Sequence, residues 1–500
     1  MALQFEQFRI AILGDFPYRT ALEGMLRGLG VFQLHIMADT QQLRLAVQTQ
    51  HFEILFVAHS IHTLNNPYDV IADLIAAKQV PLSTRIVYLY ETQVTFDYSC
   101  EYPFHQSACF KLPLKTAQLT DLLQQHQAFL QCFEVTLSYL ELKQFRQAIH
   151  ALKQIRGKNL AAHLLKARNH MIVNALTELG HYRLAERFLA PLLAKKHHWA
   201  QWAQFSIHYR LKDFAACLAF LQCEERQSQY PVRCFYWQIY LAMQQQDHHT
   251  ANTLIKAYPV AHLSPMMLRL STLVLTATRD ATGVATLLSA YSKCHPDEPS
   301  LQRLRQLLEI KSVLFTLLFA NPDSTYPHSL ASLTTLLQTL PCYGEGDHQQ
   351  QFQLLMMGLM LLKGQQQQVM AKLTLIVPHD WQDPLDLTLL RAYWAKLDQH
   401  DKALSLFAKS HHLLSTQLRN CRHVLTGVYH RLLFECVYPP EERITRYRQL
   451  ILQALQCHHF QAALTLFKHA QTAGFVLPDI ETTLLEHQQM KHLYSDYLTQ

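Results

Sequence analysis

Thirty histidines and eleven cysteines are the residues of this 500-residue chain best suited to metal or redox chemistry. The histidines include pairs at 197–198, 248–249, 411–412 and 458–459. A metal site needs three or four ligands converging at defined spacing. Neighbours on a helix point about 100° apart, so these pairs do not chelate and no metal is expected. No two cysteines form a C-x-x-C pair. An odd count without a framework points to free thiols in a reducing compartment. The motifs HEXXH, GxxxxGKS/T and GxSxG are absent, so zincin, P-loop and α/β-hydrolase chemistry lack their key residues. Neither a catalytic residue nor a cofactor is expected. The glutamine runs at 244–246 and 365–368 fall at turns or first helical turns and read as solvated faces.

Composition narrows the classes further. Hydrophobic residues are 49% of the chain, enough to bury a core and to exclude disorder throughout. Charged residues are 16%, against about 25% in typical domains. Lys+Arg 44 against Asp+Glu 38 leaves +6, with no dense basic block. A nucleic-acid partner is therefore not expected. The start, MALQFEQFRIAILGDF, has no basic segment and no small-residue cleavage site. The longest clean apolar run, SVLFTLLFA, is about half of what spans a bilayer. The expectation is a soluble cytoplasmic protein without membrane insertion. At about 150 residues per domain, 500 residues suggest three domains, or fewer if part of the chain repeats.

The first 120 residues alternate short apolar runs with helical patterns. FRIAILG, FQLHIMA, FEILFVAHS, TRIVYLYE and SACFKLP read as strands. TALEGMLRGLG, TQQLRLAVQTQ, YDVIADLIAAKQV and TAQLTDLLQQHQAFL read as helices. FEILFVAHS is nearly continuous in apolar residues, as a strand covered on both faces should be. The alternation predicts a five-stranded, doubly wound parallel sheet, whose sites form at the carboxyl ends of its strands.

In order, spacing and length, residues 7–125 resemble the receiver domain of bacterial response regulators. The resemblance rests on the end of the first strand followed by Arg19, Leu22 and Leu26, on FEILFV, and on Pro113 after the fifth strand. It implies a phosphoacceptor site: carboxylates after strand one for Mg²⁺, an aspartate ending strand three, a hydroxyl after strand four and a lysine after strand five. On this chain those positions fall on Gly14 and Asp15, Ala58, Tyr90 and Leu112. One carboxylate of the set survives, and Ala58 has no oxygen to phosphorylate. A degenerate, non-phosphorylatable receiver over residues 1–125 is expected, resting in one conformation because it lacks the charge input that would bias it.

From about residue 126 to 500 the chain reads as helix, and it repeats. Copies of the pattern Y-L-x-L-G-x-Y-x-x-A-L occur with the turn position at Lys143, Gly180, Lys212, Gln246, Asp280, Gly364, Asp398 and His458. The intervals are 37, 32, 34, 34, 84, 34 and 60 residues. A small residue follows five later at Ala148, Ala185, Ala251, Ala285, Ala403 and Ala463, and an aromatic two later at Phe145, Tyr182, Phe214 and Phe460. The pattern resembles the tetratricopeptide repeat (TPR), in which stacked helical hairpins share one continuous core. That resemblance implies an all-α superhelix whose first helices line a groove for a partner protein. Counting back from the turns puts Asn174, Arg210, Tyr236 and Tyr240 on the groove wall. Trp199, Trp202 and Phe205 have the helical spacing of core residues. The helix TDLLQQHQAFLQCFEVTLSYLEL runs from the sheet into the first repeat, which predicts a rigid junction.

Together these readings describe a non-enzymatic signalling adaptor of a bacterial two-component pathway. Its receiver-like module would meet a sensor kinase or another signalling protein, and its repeats a second protein or peptide. Two alternatives stay open: a response regulator phosphorylated at an unorthodox residue such as Asp15 or His59, and a transcription-coupled regulator with TPR repeats.

Overall fold

The computed structural model describes residues 5–58 except 15 and 17, 70–90 except 72–73 and 76–77, 104–155, 160–319 except 196, 246 and 297–298, 330–340, 347–375, 384–399, 402–403, 406, 438, 440–456, 460–472 and 475–486. The first half of the sheet runs β1 (Arg9–Leu13), α1 (Arg19–Gly28), β2 (Gln33–Met37), α2 (Thr40–Thr49) and β3 (Ile54–Ala58). It is completed by β4 (Arg85–Tyr90), β5 (Gln106–Lys111) and the long helix α3 (Thr116–Glu141). All five strands are parallel, in the order β2-β1-β3-β4-β5. Between β3 and β4, Val70, Ile71, Leu74 and Ile75 are helical, as expected. A helix between β4 and β5 would fall on 91–103, outside the described residues.

Burial follows the strand order. β3, at the centre, is buried at all five positions, whereas β2 and β5, at the edges, are half exposed. Successive side chains of a strand point to opposite faces, so the sheet feeds two cores. Ile10, Ile12, Ile54 and Phe56 pack with Leu22 and Leu26 of α1 and with Leu119, Leu122 and Leu123 of α3. Ala11, Leu13, Leu55 and Val57 pack with Leu43 of α2 and with Ile71 and Leu74. Full burial of each such aliphatic side chain is worth about 1.5–3 kcal/mol. Those two layers, more than any local propensity, hold the strand ends in place.

After α3 the first compact unit continues as helices: α4 (Phe145–Gln154), α5 (Ala162–Glu178), α6 (Tyr182–Ala194), α7 (His198–Arg210), α8 (Phe214–Leu221), α9 (Glu224–Gln229) and α10 (Pro231–Gln244). That unit takes in the described residues through Leu241, and the last three residues of α10 fall in the second unit. The boundary expected at 125/126 falls inside α3, which runs on from the sheet into the helical region as the sequence suggested. The reason lies in α3 itself: its 26 residues carry apolar side chains for two cores in succession.

The second unit holds the rest of the chain. It begins with α11 (His248–Ala257), α12 (Pro265–Ala277), α13 (Ala281–Cys294), α14 (Pro299–Leu318) and α15 (Leu330–Thr339). It continues through α16 (Asp347–Leu362), α17 (Gln366–Leu373), α18 (Pro384–Lys396), α19 (Pro440–Gln456) and α20 (Phe460–Thr472). No helix among the described residues is long and apolar enough to cross a membrane.

Turns between paired helices repeat one geometry. Lys143, Gly180, Lys212, Arg279, Gly364 and Asp398 have φ between 56° and 78°. At each, the following residue's N–H reaches back to a carbonyl five residues earlier: Gln144 to Tyr139, His181 to Leu176, Asp213 to His208, Asp280 to Leu275, Gln365 to Met360 and Gln399 to Trp394. This is the Schellman closure of a helix end. Five of the eight expected turn positions take it, and Gln246 and His458 lie outside the described residues.

The eighth, Asp280, corrects the expectation by one residue. Arg279 takes the left-handed conformation, and Asp280 caps α13 by accepting the Gly283 N–H at 2.8 Å. An aspartate gains more as an N-cap than as a turn residue. In consequence Ala285 is exposed and Val284 holds the buried position. Elsewhere Ala148, Ala185, Ala251, Ala403 and Ala463 are buried as expected, which lets paired helices approach closely.

Candidate functional site

A doubly wound sheet offers a crevice where its strand order reverses. Here that point lies between β1 and β3, which run side by side from Ile10–Ile54 to Leu13–Val57. The next residues are Gly14 and Ala58. Gly14 has φ +102° and donates its N–H to the Met37 carbonyl at 3.0 Å. A Cβ built on Gly14 would lie 3.2 Å from the Cβ of Ala58. Ala58 is buried, and β3 ends on it. The two chain ends thus close on each other through a hydrogen and a methyl group, where a carboxylate would be needed to take a phosphoryl group.

The other positions complete this picture. Tyr90 ends β4, half-buried, with its carbonyl accepting the Leu112 N–H at 2.8 Å. Leu112 is buried in the apolar core on the α1–α3 side of the sheet, and the Leu112–Pro113 peptide is cis. Its neighbour Lys111 is exposed. Asp15, the one carboxylate expected here, lies outside the described residues, as does His59. Among the described residues at these expected positions, Gly14, Ala58, Tyr90 and Leu112, none carries a carboxylate.

The expected groove residues separate into two classes. Arg210, exposed at the end of α7, pairs with Glu178 at the end of α5. Asn174 is half-buried on α5. Tyr236 and Tyr240 are 7% and 4% exposed, too little for a binding wall. The Tyr240 hydroxyl is instead 2.7 Å from that of Tyr209. The cause is the composition of α10. Its residues Cys234, Phe235, Tyr236, Trp237, Ile239, Tyr240, Leu241, Ala242 and Met243 are all buried. A helix that is apolar all round is packed on all sides, and counting from a turn fixes only its phase.

The aromatics around α10 form one cluster. Trp202 meets Phe205, Phe220 and Tyr230 at centroid distances of 5.1–5.7 Å, mostly edge-on. The Arg233 guanidinium carbon stands 3.7 Å above the Trp202 ring. Trp202 and Phe205 are core residues, as their spacing predicted. The Arg233–Trp202 stack was not visible in the sequence, because its partners are 31 positions apart with two whole helices, α8 and α9, between them.

Two thiols of the helical region are raised by their surroundings. Burial, helped by Asp213, pushes the Cys217 thiol up to about 12. Burial also raises the Cys132 thiol. Neither is a thiolate at neutral pH, the form that reacts. Among the described residues no group of three or more His, Cys, Asp or Glu side chains is placed to hold a metal ion. The second unit carries a buried ion pair that the sequence did not announce. Lys311 of α14 lies 2.7 Å from Asp386 of α18, with both side chains 3% exposed or less.

No family model, no curated protein and no solved structure matches the chain.

Proposed function

We propose that this chain is a non-enzymatic adaptor in bacterial two-component signalling. Its sheet module is a degenerate receiver that binds a signalling protein without taking phosphate. Its helices form a TPR array that holds a second protein. The observation that carries the reading is Ala58, a methyl group ending the central strand at the point where the sheet order reverses. The strand order β2-β1-β3-β4-β5 supports the receiver assignment. Left-handed Schellman turns at Lys143, Gly180, Lys212, Gly364 and Asp398 support the repeat assignment.

An adaptor binds its partners whatever the phosphate supply, whereas a switch binds them in one state only. The immobilised full chain is therefore exposed to host lysate with and without acetyl phosphate and Mg²⁺, and the retained proteins are compared. The same set is expected in both. A partner retained only after acetyl phosphate treatment refutes the proposal in favour of a phosphorylation switch.

A further inference from the structure

The amino ends of β4 and β5, opposite the crevice, face the helices. Leu82, three residues before β4, and Phe104, two before β5, pack into the core that α3 shares with α4 and α5. Phe104 is 5% exposed, and its ring stacks on Phe145 at the start of α4, with centroids 6.1 Å apart and planes 18° off parallel. The Glu141 carboxylate, closing α3, accepts the Leu82 N–H at 2.9 Å. α3 binds both sides together: Leu122 and Leu123 belong to the sheet core, Phe133 and Leu140 to the helical one.

A stack of helical hairpins has an open apolar face at its first member, and such arrays need a terminal cap with a polar outer surface. The first hairpin, α3 and α4 joined at Lys143, meets that need through Phe104 and Leu82, not through another hairpin. We infer that the sheet module is the amino-terminal cap of the helical array, covering its first hairpin with Leu82 and Phe104. This role needs no phosphoacceptor and no bound partner. It gives the module a task even where its crevice is closed, and it stands whether or not the adaptor proposal holds.

Hydrogen exchange of the full-length protein tests the inference through three variants. Phe104→Ala and Glu141→Ala strike the cap contact, and Tyr90→Ala strikes the far end of the sheet as a control. In Phe104→Ala the amides of α4 and α5 should exchange about tenfold faster or more, while those of β1 and β3 keep their protection. Glu141→Ala should raise the same helical amides by a few-fold, about the loss of one hydrogen bond. Tyr90→Ala should leave α4 and α5 unchanged. Unchanged α4 and α5 protection in Phe104→Ala, or faster exchange confined to the sheet, would overturn the inference. If Phe104→Ala does not fold, Glu141→Ala decides between the same two results on the same peptides.

Discussion

Replacing His126 with phenylalanine should make the first unit less sensitive to acid. His126 lies on α3 with no exposed surface. Its ring is 5.8 Å from that of Phe8 and 6.3 Å from that of Phe129, stacked on the latter at 15°. Burial, then the charge of Arg85, pushes its pKa down to about 3, against a pull upward from the Glu53 carbonyl and a further push down from His51. In the unfolded chain the same ring titrates near 6.5. Between pH 6.5 and 3 the unfolded state therefore binds a proton that the folded state refuses, so stability falls as pH drops through that window. At about 1.4 kcal/mol per pH unit, the loss from pH 7.5 to 5 is about 2 kcal/mol. Phenylalanine keeps the ring between Phe8 and Phe129 and has no proton to gain. Urea unfolding, with global exchange of β1 and α3 amides as a second reading, measures both proteins at pH 7.5 and 5. The wild type should lose about 2 kcal/mol more than the variant over that interval. Equal losses would refute the argument and leave His126 a titratable group like any exposed histidine.

Three further outcomes follow from the packing. Gly180 has φ +75° and open space around a built Cβ, so Gly180→Ala meets backbone strain alone and should cost about 1 kcal/mol, whereas Lys212→Gly at φ 61° should be neutral or stabilising by up to about 1 kcal/mol; thermal unfolding of the two variants reads the opposite signs. A Cβ on Gly358 would sit 2.5 Å from both Leu314 Cδ2 and the Tyr393 hydroxyl, which donates to the Leu354 carbonyl at 3.0 Å. Gly358→Ala should therefore cost about 1–3 kcal/mol and speed exchange in α16 and α18. Lys311→Met alone strands the buried Asp386 charge and should cost about 3–5 kcal/mol, while Lys311→Met with Asp386→Leu should recover most of it; denaturant midpoints of the single and double variants decide.

The legible parts of the fold were those set by local pattern. Continuous apolar runs marked β3 and β4, and their order around helical segments led to the parallel sheet. Lys143 and Lys212 were legible as turn residues, although lysine has no preference for φ above zero, because the residues on either side match the repeat pattern at its glycine position. Where two neighbours competed, pattern failed: Arg279 and Asp280 could each take the turn, and capping geometry decided. Long-range packing was not legible. That α3 serves two cores depends on Phe104 and Leu82, which come from the loops before β5 and β4. That Tyr236 and Tyr240 are buried depends on what surrounds α10 on every side. At the crevice the continuous apolar run was enough to place the end of β3 on Ala58.

The account rests on the sheet module carrying no phosphoryl group. The most direct test is the intact mass of the full-length protein after incubation with acetyl phosphate and Mg²⁺. The expected spectrum shows the unmodified mass alone. A stoichiometric gain of one phosphate, lost on Asp15→Asn and retained in variants of the other candidate acceptors, would contradict it and make the chain a phosphorylation-driven switch.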